Sequence, residues 1–250
     1  AFNLRKKESY FNYIHTLKSI VLLNPFAKTT LILGLGGGNL ASDLIKKNFN
    51  VDACEINKAI IEAAKKYFYL NKKVNIYFGD CRVMLSKLKK KYDYIVLDSY
   101  TAEKEPYYLY SLEAFKNIKK ALNKNGIFAI NAIGYVKGKH AQAMKSIYLT
   151  LSKLFKFIEV YGTQKTEKER NLIFFASNTP LVFKNNFKTL TFKEKKQILQ
   201  LLNNKIKIKT NKKTFILTDN YNPLDILNVK HQENWRKLTI KNVHLGILLF

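Results

Sequence analysis

Glu55, Asp80 and Asp98 stand at the ends of three separate apolar runs, VDACE, VNIYFGD and YDYIVLD. A fourth run, TTLIL, ends in the glycines of GLGGG. Gly34, Gly36 and Gly38 form a GxGxG pattern that lets a ligand approach bare backbone, and the segment that follows offers free N–H groups. A carboxylate at Glu55 suits the two hydroxyls of a ribose, whether in NAD or in an S-adenosyl compound. Asp80, in FGDC, discriminates better. Its carboxylate can accept from an adenine amino group while the N–H of Cys81 faces a ring nitrogen. With Asp98 ending the fourth run, the set favours an S-adenosyl-type nucleoside over NAD.

Such residues work together only if one sheet edge carries them all. The apolar runs TTLIL, VDACEIN, VNIYFGD, YDYIVLDSY and IFAINAIG read as strands. Between them NLASDLIKKN, KAIIEAAKKYFYL, CRVMLSKLKKK and SLEAFKNIKKALNKN show helical spacing, with Gly126 predicted at the C-cap of the last. AQAMKSIYLTLSKLF reads as a further helix, and FIEVYGT and NLIFFASN as a closing pair of strands. This alternation predicts an α/β chain with a class I S-adenosylmethionine-type Rossmann-like fold: a mostly parallel sheet with helices on both faces. Ligands of such sheets bind beyond the carboxyl ends of the strands, where the glycines, Glu55, Asp80 and Asp98 all fall. Residues 1–182 are predicted to form this domain, with 1–25 as a helical lead-in that Asn24 and Pro25 end. Residues 183–250, rich in Lys and Asn, read as an appendage packing on it, with a helix at KEKKQILQLL and a turn in FILTDNYNPLDIL.

Hydrophobic residues make up 47% of the 250 and aromatics 13%, enough for a sizeable core. No run is apolar enough for a membrane helix and no leader peptide opens the chain. A cytoplasmic protein is therefore expected, with a membrane part outside this chain left open. The formal charge is +26, yet only four of the basic residues are Arg. Arginine is favoured for bidentate phosphate and base contacts, so the lysines read as solvated surface and nucleic acid as an unlikely main partner. Cys54 and Cys81 lack metal-ligand spacing and read as reduced, buried residues. The histidines His15, His140, His231 and His244 are scattered, so no metal is expected. Trp235 is expected to pack the appendage or a dimer contact.

The order LGLGGG, CEINKAIIEAAKKYF, FGDCRVML, YDYIVLDSY and FKNIKKALNKNGIFAIN, from about Tyr10 to Leu181, resembles the spermidine synthase (polyamine aminopropyltransferase) family. NLIFFASN resembles that family's final strand. LLNP, LDSYTAEKEPYYL and LTDNYNPLDIL are similar to its spermidine-synthase-like branch, which is often fused to membrane domains. The resemblance implies a transferase of polyamine biosynthesis, a small-molecule amine as substrate and a homodimer. Decarboxylated S-adenosylmethionine would be the co-substrate: an amine attacks the methylene next to the sulfonium and methylthioadenosine leaves. It assigns the base to Asp98 and allows Tyr100 to line the pocket or to pack. Two departures stand out. Gly37 occupies the place of an acid facing the amine end of the ligand, and Thr101 that of a second amine-binding aspartate. Glu103 and Glu105, or Asp219 near the pocket mouth, are candidates to restore the charge. Without the acid at Gly37, ordinary S-adenosylmethionine could enter, so a methyltransferase is the first alternative. A non-catalytic module binding a nucleoside or nucleic acid is the second.

Overall fold

Leu31 and Leu33 pack on one side of a central strand and Ile32 on the other. That period of two, with every residue apolar, is what a strand covered on both faces requires. The fold is that of a computed structural model, which describes residues 2–3, 8–9, 11–24, 26–100, 104–164, 169–182 and 192–242. The lead-in expected to be helical over 1–25 opens instead with a short antiparallel ribbon of β1 (Phe2–Asn3) and β2 (Glu8–Ser9). Helix α1 (Asn12–Lys18) follows and tightens into a 3-10 turn at Ser19–Leu22.

The alternating part runs β3 (Thr29–Leu33), α2 (Asn39–Lys46), β4 (Asn50–Glu55), α3 (Lys58–Tyr67), β5 (Asn75–Phe78), α4 (Cys81–Lys87) and β6 (Tyr92–Leu97). It continues with α5 (Leu112–Ala121), β7 (Leu122–Gly134), α6 (Gln142–Ser152), β8 (Phe157–Gly162) and β9 (Arg170–Ser177). Then come α7 (Phe192–Leu202), β10 (Lys205–Ile206), α8 (Leu224–Leu227) and α9 (Val229–Asn242). The strands form one sheet in the order β10-β8-β9-β7-β6-β3-β4-β5. The five strands from β7 to β5 are parallel, and β9, β8 and β10 are antiparallel. The sheet is thus mostly parallel with helices on both faces, as the alternation predicts. One face packs Phe115, Phe128, Met144 and Phe174. The other packs Leu17, Leu44, Val96 and Phe175. Strand β10 belongs to the Lys/Asn-rich region and extends the sheet beside β8.

Local chemistry sets the helix starts. Asn57 Oδ1 accepts from the N–H of Ala59 at 2.9 Å, and Ser111 Oγ from that of Ala114 at 3.1 Å. Both are N-caps that satisfy otherwise orphaned donors. Two further expectations are corrected. Gly126 is not a C-cap: α5 ends at Ala121, with Leu122 already extended, and Gly126 lies inside β7. The register jumps there from Tyr92↔Leu122 to Tyr94↔Ile127, a bulge that Asp93 pins by accepting from Asn123 Nδ2 at 2.7 Å. Nor are Cys54 and Cys81 two reduced thiols. The end of β4 and the start of α4 bring their Cα atoms to 5.7 Å, and the two form a disulfide. Among the described residues, no helix is long and apolar enough to cross a membrane.

Candidate active site

Between β3 and β6 the strand order reverses, and the carboxyl ends of the strands splay apart there. A cavity of about 340 Å³ opens at that point. Its floor is the glycine turn after β3. Gly34 adopts φ +97°, and a Cβ there would run into the carbonyl of Asp98 and lie 2.8 Å from Ser99 Cα. The loops after β3 and β6 touch because no side chain separates them. Gly38 starts α2 at φ 71° in the left-handed region.

Glu55 ends β4 and faces this turn. Its Oε2 accepts from the N–H of Leu35 at 3.0 Å, and Oε1 from that of Asn57 at 2.9 Å. The carboxylate is thereby fixed while lining the cavity with unused lone pairs. Asp80 caps α4 by accepting from the N–H of Arg82 at 2.7 Å. Neither Asp80 nor Cys81 lines the cavity itself. Tyr108 does, and it stands between the two acids: burial, then the charges of Asp80 and Tyr107, then that of Glu55 raise its phenol.

Asp98 follows β6 and lines the cavity beside Tyr13 and Tyr100. Its N–H donates to the carbonyl of Leu33 at 2.9 Å, which ties it to the glycine turn. Burial pushes its carboxyl up to about 6, against the lowering effect of hydrogen bonds from Asn131 and Tyr13. Asn131 Nδ2 donates to Asp98 Oδ1 at 2.8 Å. Burial raises the Tyr13 phenol, and the Asp98 charge and hydrogen bond raise it further, so it stays a neutral donor. Tyr100 uses its hydroxyl on the carbonyl of Asn131 at 3.1 Å while its ring lines the cavity. Of the two roles open to Tyr100, it has a share in both.

The remaining candidates that are described lie elsewhere. Glu103, with Thr101, falls outside the described residues. Glu105 is buried away from the cavity, and both its oxygens accept from Asn228 Nδ2, at 3.0 and 2.9 Å. It ties the loop after β6 to the turn between α8 and α9. Asp219 pairs with Arg82 at 2.6 Å and bonds Ser111. Neither acid lines the cavity. Gly37 is packed under Phe68, whose ring carbon lies 3.2 Å from where a Cβ would be. An acid in this place would have to displace an aromatic ring. The backbone of Trp235 is part of α9, and its side chain is outside the described residues.

Two participants were not read from the sequence. Tyr13 sits on a helix whose neighbours Ile14 and Leu17 are core residues, and it gave no separate signal. Asn131 did give one: a lone amide inside the apolar run IFAINAIG must find partners if buried. As a whole, the described lining carries two acids, Glu55 and Asp98, and no Lys, Arg or His. Among the described residues no group of His, Cys, Asp and Glu could hold a metal ion.

Comparison with known proteins places this geometry. The spermine/spermidine synthase domain matches residues 11–189. The polyamine aminopropyltransferase of Vibrio vulnificus is 33% identical over 138 residues, 52% of this chain and 46% of that protein. The thermospermine synthase ACAULIS5 of Arabidopsis thaliana is 30% identical over 152 residues, 56% of this chain and 45% of its own. The chain therefore spans about half the length of these curated relatives. A probable spermidine synthase from Corynebacterium glutamicum shares the fold, with a TM-score of 0.64 at 16% identity over 79% of this chain and 73% of that one. The matched residues include the glycine turn, all three strand-end acids and both flanking tyrosines, and the chain belongs to the spermine/spermidine synthase domain family.

Proposed function

We propose that the protein is a transferase that moves an aminopropyl group from decarboxylated S-adenosylmethionine to an amine. One observation carries this reading. In a chain of net charge +26, the described cavity lining has two carboxylates and no cation. Local charge of that sign suits a ligand that carries a sulfonium and a terminal ammonium. It disfavours the phosphates of a dinucleotide, and equally the carboxylate of ordinary S-adenosylmethionine, which would meet two carboxylates and no cation in the described lining. The methyltransferase alternative is weakened on that ground, although Gly37 itself would admit the group.

In this proposal Glu55 holds the ribose, and Asp80 with the Cys81 N–H reads the adenine from beside Tyr108. Asp98 keeps the attacking amine unprotonated and receives its proton as the nitrogen bonds to the methylene. The C–S bond breaks and neutral methylthioadenosine departs. Because the sulfonium is already a good leaving group, alignment and deprotonation are what the protein must supply. Tyr13 and Asn131 serve by holding Asp98. The division into residues 1–182 and a following appendage, and assembly as a homodimer, stay part of the proposal. Incubation with decarboxylated S-adenosylmethionine and a panel of diamines tests the reading. Methylthioadenosine should be released in step with an aminopropylated product, whereas S-adenosylhomocysteine formed from S-adenosylmethionine would replace it with methyl transfer.

A further inference from the structure

Asp98 is held from behind as well as from the cavity. Asn131 on β7 and Asn171 on β9 occupy diagonal positions of an antiparallel ladder in which Asn131 faces Ile173 and Ile133 faces Asn171. Diagonal neighbours share one face of the sheet. Asn171 Nδ2 donates to Asn131 Oδ1 at 2.9 Å, and Asn131 Nδ2 donates to Asp98 Oδ1 at 2.8 Å. An amide has an accepting side and a donating side. With its oxygen engaged by Asn171, Asn131 must turn its NH2 toward Asp98. Its backbone carbonyl is fixed too, accepting from the hydroxyls of Tyr100 and Tyr110 at 3.1 and 3.4 Å. Asn131 is buried and lines no part of the cavity.

We infer that Asn171 and Asn131 form a two-amide relay, a pair of positioning residues that presents a donor to Asp98 and so keeps it oriented and ionised for its work. The inference rests on the reading of Asp98 as the base. Reversal of the Asn131 amide would aim an oxygen at the carboxylate, and only a protonated Asp98 could tolerate that contact. Among the described residues, Glu55 shares the cavity with Asp98, and three phenols bear on it directly: Tyr13 from α1, and Tyr100 and Tyr110 from the segment after β6. Burial raises all three phenols, so they remain neutral while Asp98 titrates.

Asn171→Asp tests the relay, because an ionised carboxylate in that place accepts only and should draw the NH2 of Asn131 away. Two readouts are taken: the acid limb of kcat/KM, and the Asp98 carboxyl titration by carbon NMR, assigned against Asp98→Asn. Both should move up by about one pH unit or more. The same substitution in an Asn131→Leu background adds the charge without the relay and should give a much smaller shift. An equal shift in both backgrounds, or none in either, overturns the relay. Movement of the carboxyl titration without movement of the kinetic limb upholds the relay and sinks the assignment of Asp98 as base. If Asn171→Asp does not fold, Asn171→Leu is compared with Asn171→Ser, whose hydroxyl can still donate. The Leu protein should show the raised titration and the Ser protein the original one; coincident profiles overturn the inference.

Discussion

Asp98 is a carboxylate in a place that disfavours its charge. Burial raises its carboxyl from 3.8 to about 6, which has one consequence for rate and another for stability. As a base it works only when ionised, so kcat/KM should fall off on the acid side near pH 6. Asp98→Asn should retain nucleoside binding and lose roughly 10²- to 10⁴-fold in turnover, measured as methylthioadenosine release. For stability the sign is opposite to that of a salt-bridged acid. A carboxyl whose folded value lies above its unfolded one favours folding below the unfolded value, and that contribution is lost as pH rises through the folded value. Asp98→Asn should therefore stabilise the protein by up to roughly 3 kcal/mol near pH 8 and by little near pH 4. Denaturant unfolding at the two pH values checks it; an equal effect at both would contradict the buried, destabilised carboxylate. At this scale the sequence was legible where a polar residue ended an apolar run, as Glu55 and Asp98 do. It was not legible for Tyr13, which reaches Asp98 from a helix distant in sequence, because only the packing of α1 on the sheet brings them together.

The elements that bring these side chains together leave little slack where their loops cross. Gly34 combines a left-handed φ with backbone contact to Asp98 and Ser99, so Gly34→Ala should cost roughly 2 kcal/mol or more in urea unfolding. It should also weaken nucleoside binding, because the loop carrying Asp98 must move. The disulfide between Cys54 and Cys81 closes a loop of 27 residues in sequence. Chain entropy for a loop of that size amounts to about 3.5 kcal/mol. Reductant should lower the unfolding midpoint of the native protein and leave a Cys54→Ser, Cys81→Ser protein unmoved. The strands were legible from their uniform apolar character and the helices from their spacing. Two features were not. The bulge before Ile127 was hidden because Leu122 and the polar residues after it continue the helical pattern of α5. The disulfide was hidden because the positions that oppose each other across β4 and α4 depend on the register of parallel strands, which one sequence does not display.

The whole molecule sets a strongly basic surface around an acidic cavity. A net charge of +26 alone suggests anionic partners, yet the described lining offers them no cation. Two of the acids expected to restore charge near the amine end serve elsewhere: Glu105 ties a loop to the turn before α9, and Asp219 pairs with Arg82. What remains around the glycine turn is mixed and uncharged, with Phe11, Phe68 and Ile60 beside Asn39 and Ser99 in the described lining. A carboxylate entering there would meet the field of Glu55 and Asp98 with no cation in the described lining to offset it, whereas an ammonium would be favoured by that field. The most direct measurement is the calorimetric affinity for decarboxylated S-adenosylmethionine against that for S-adenosylmethionine, at low and at physiological salt. The decarboxylated form should bind at least about tenfold more tightly, about 1.4 kcal/mol, with the difference kept at both salt concentrations because the groups are shielded from solvent. Equal or tighter binding of S-adenosylmethionine would contradict aminopropyl transfer and move the assignment to methyl transfer.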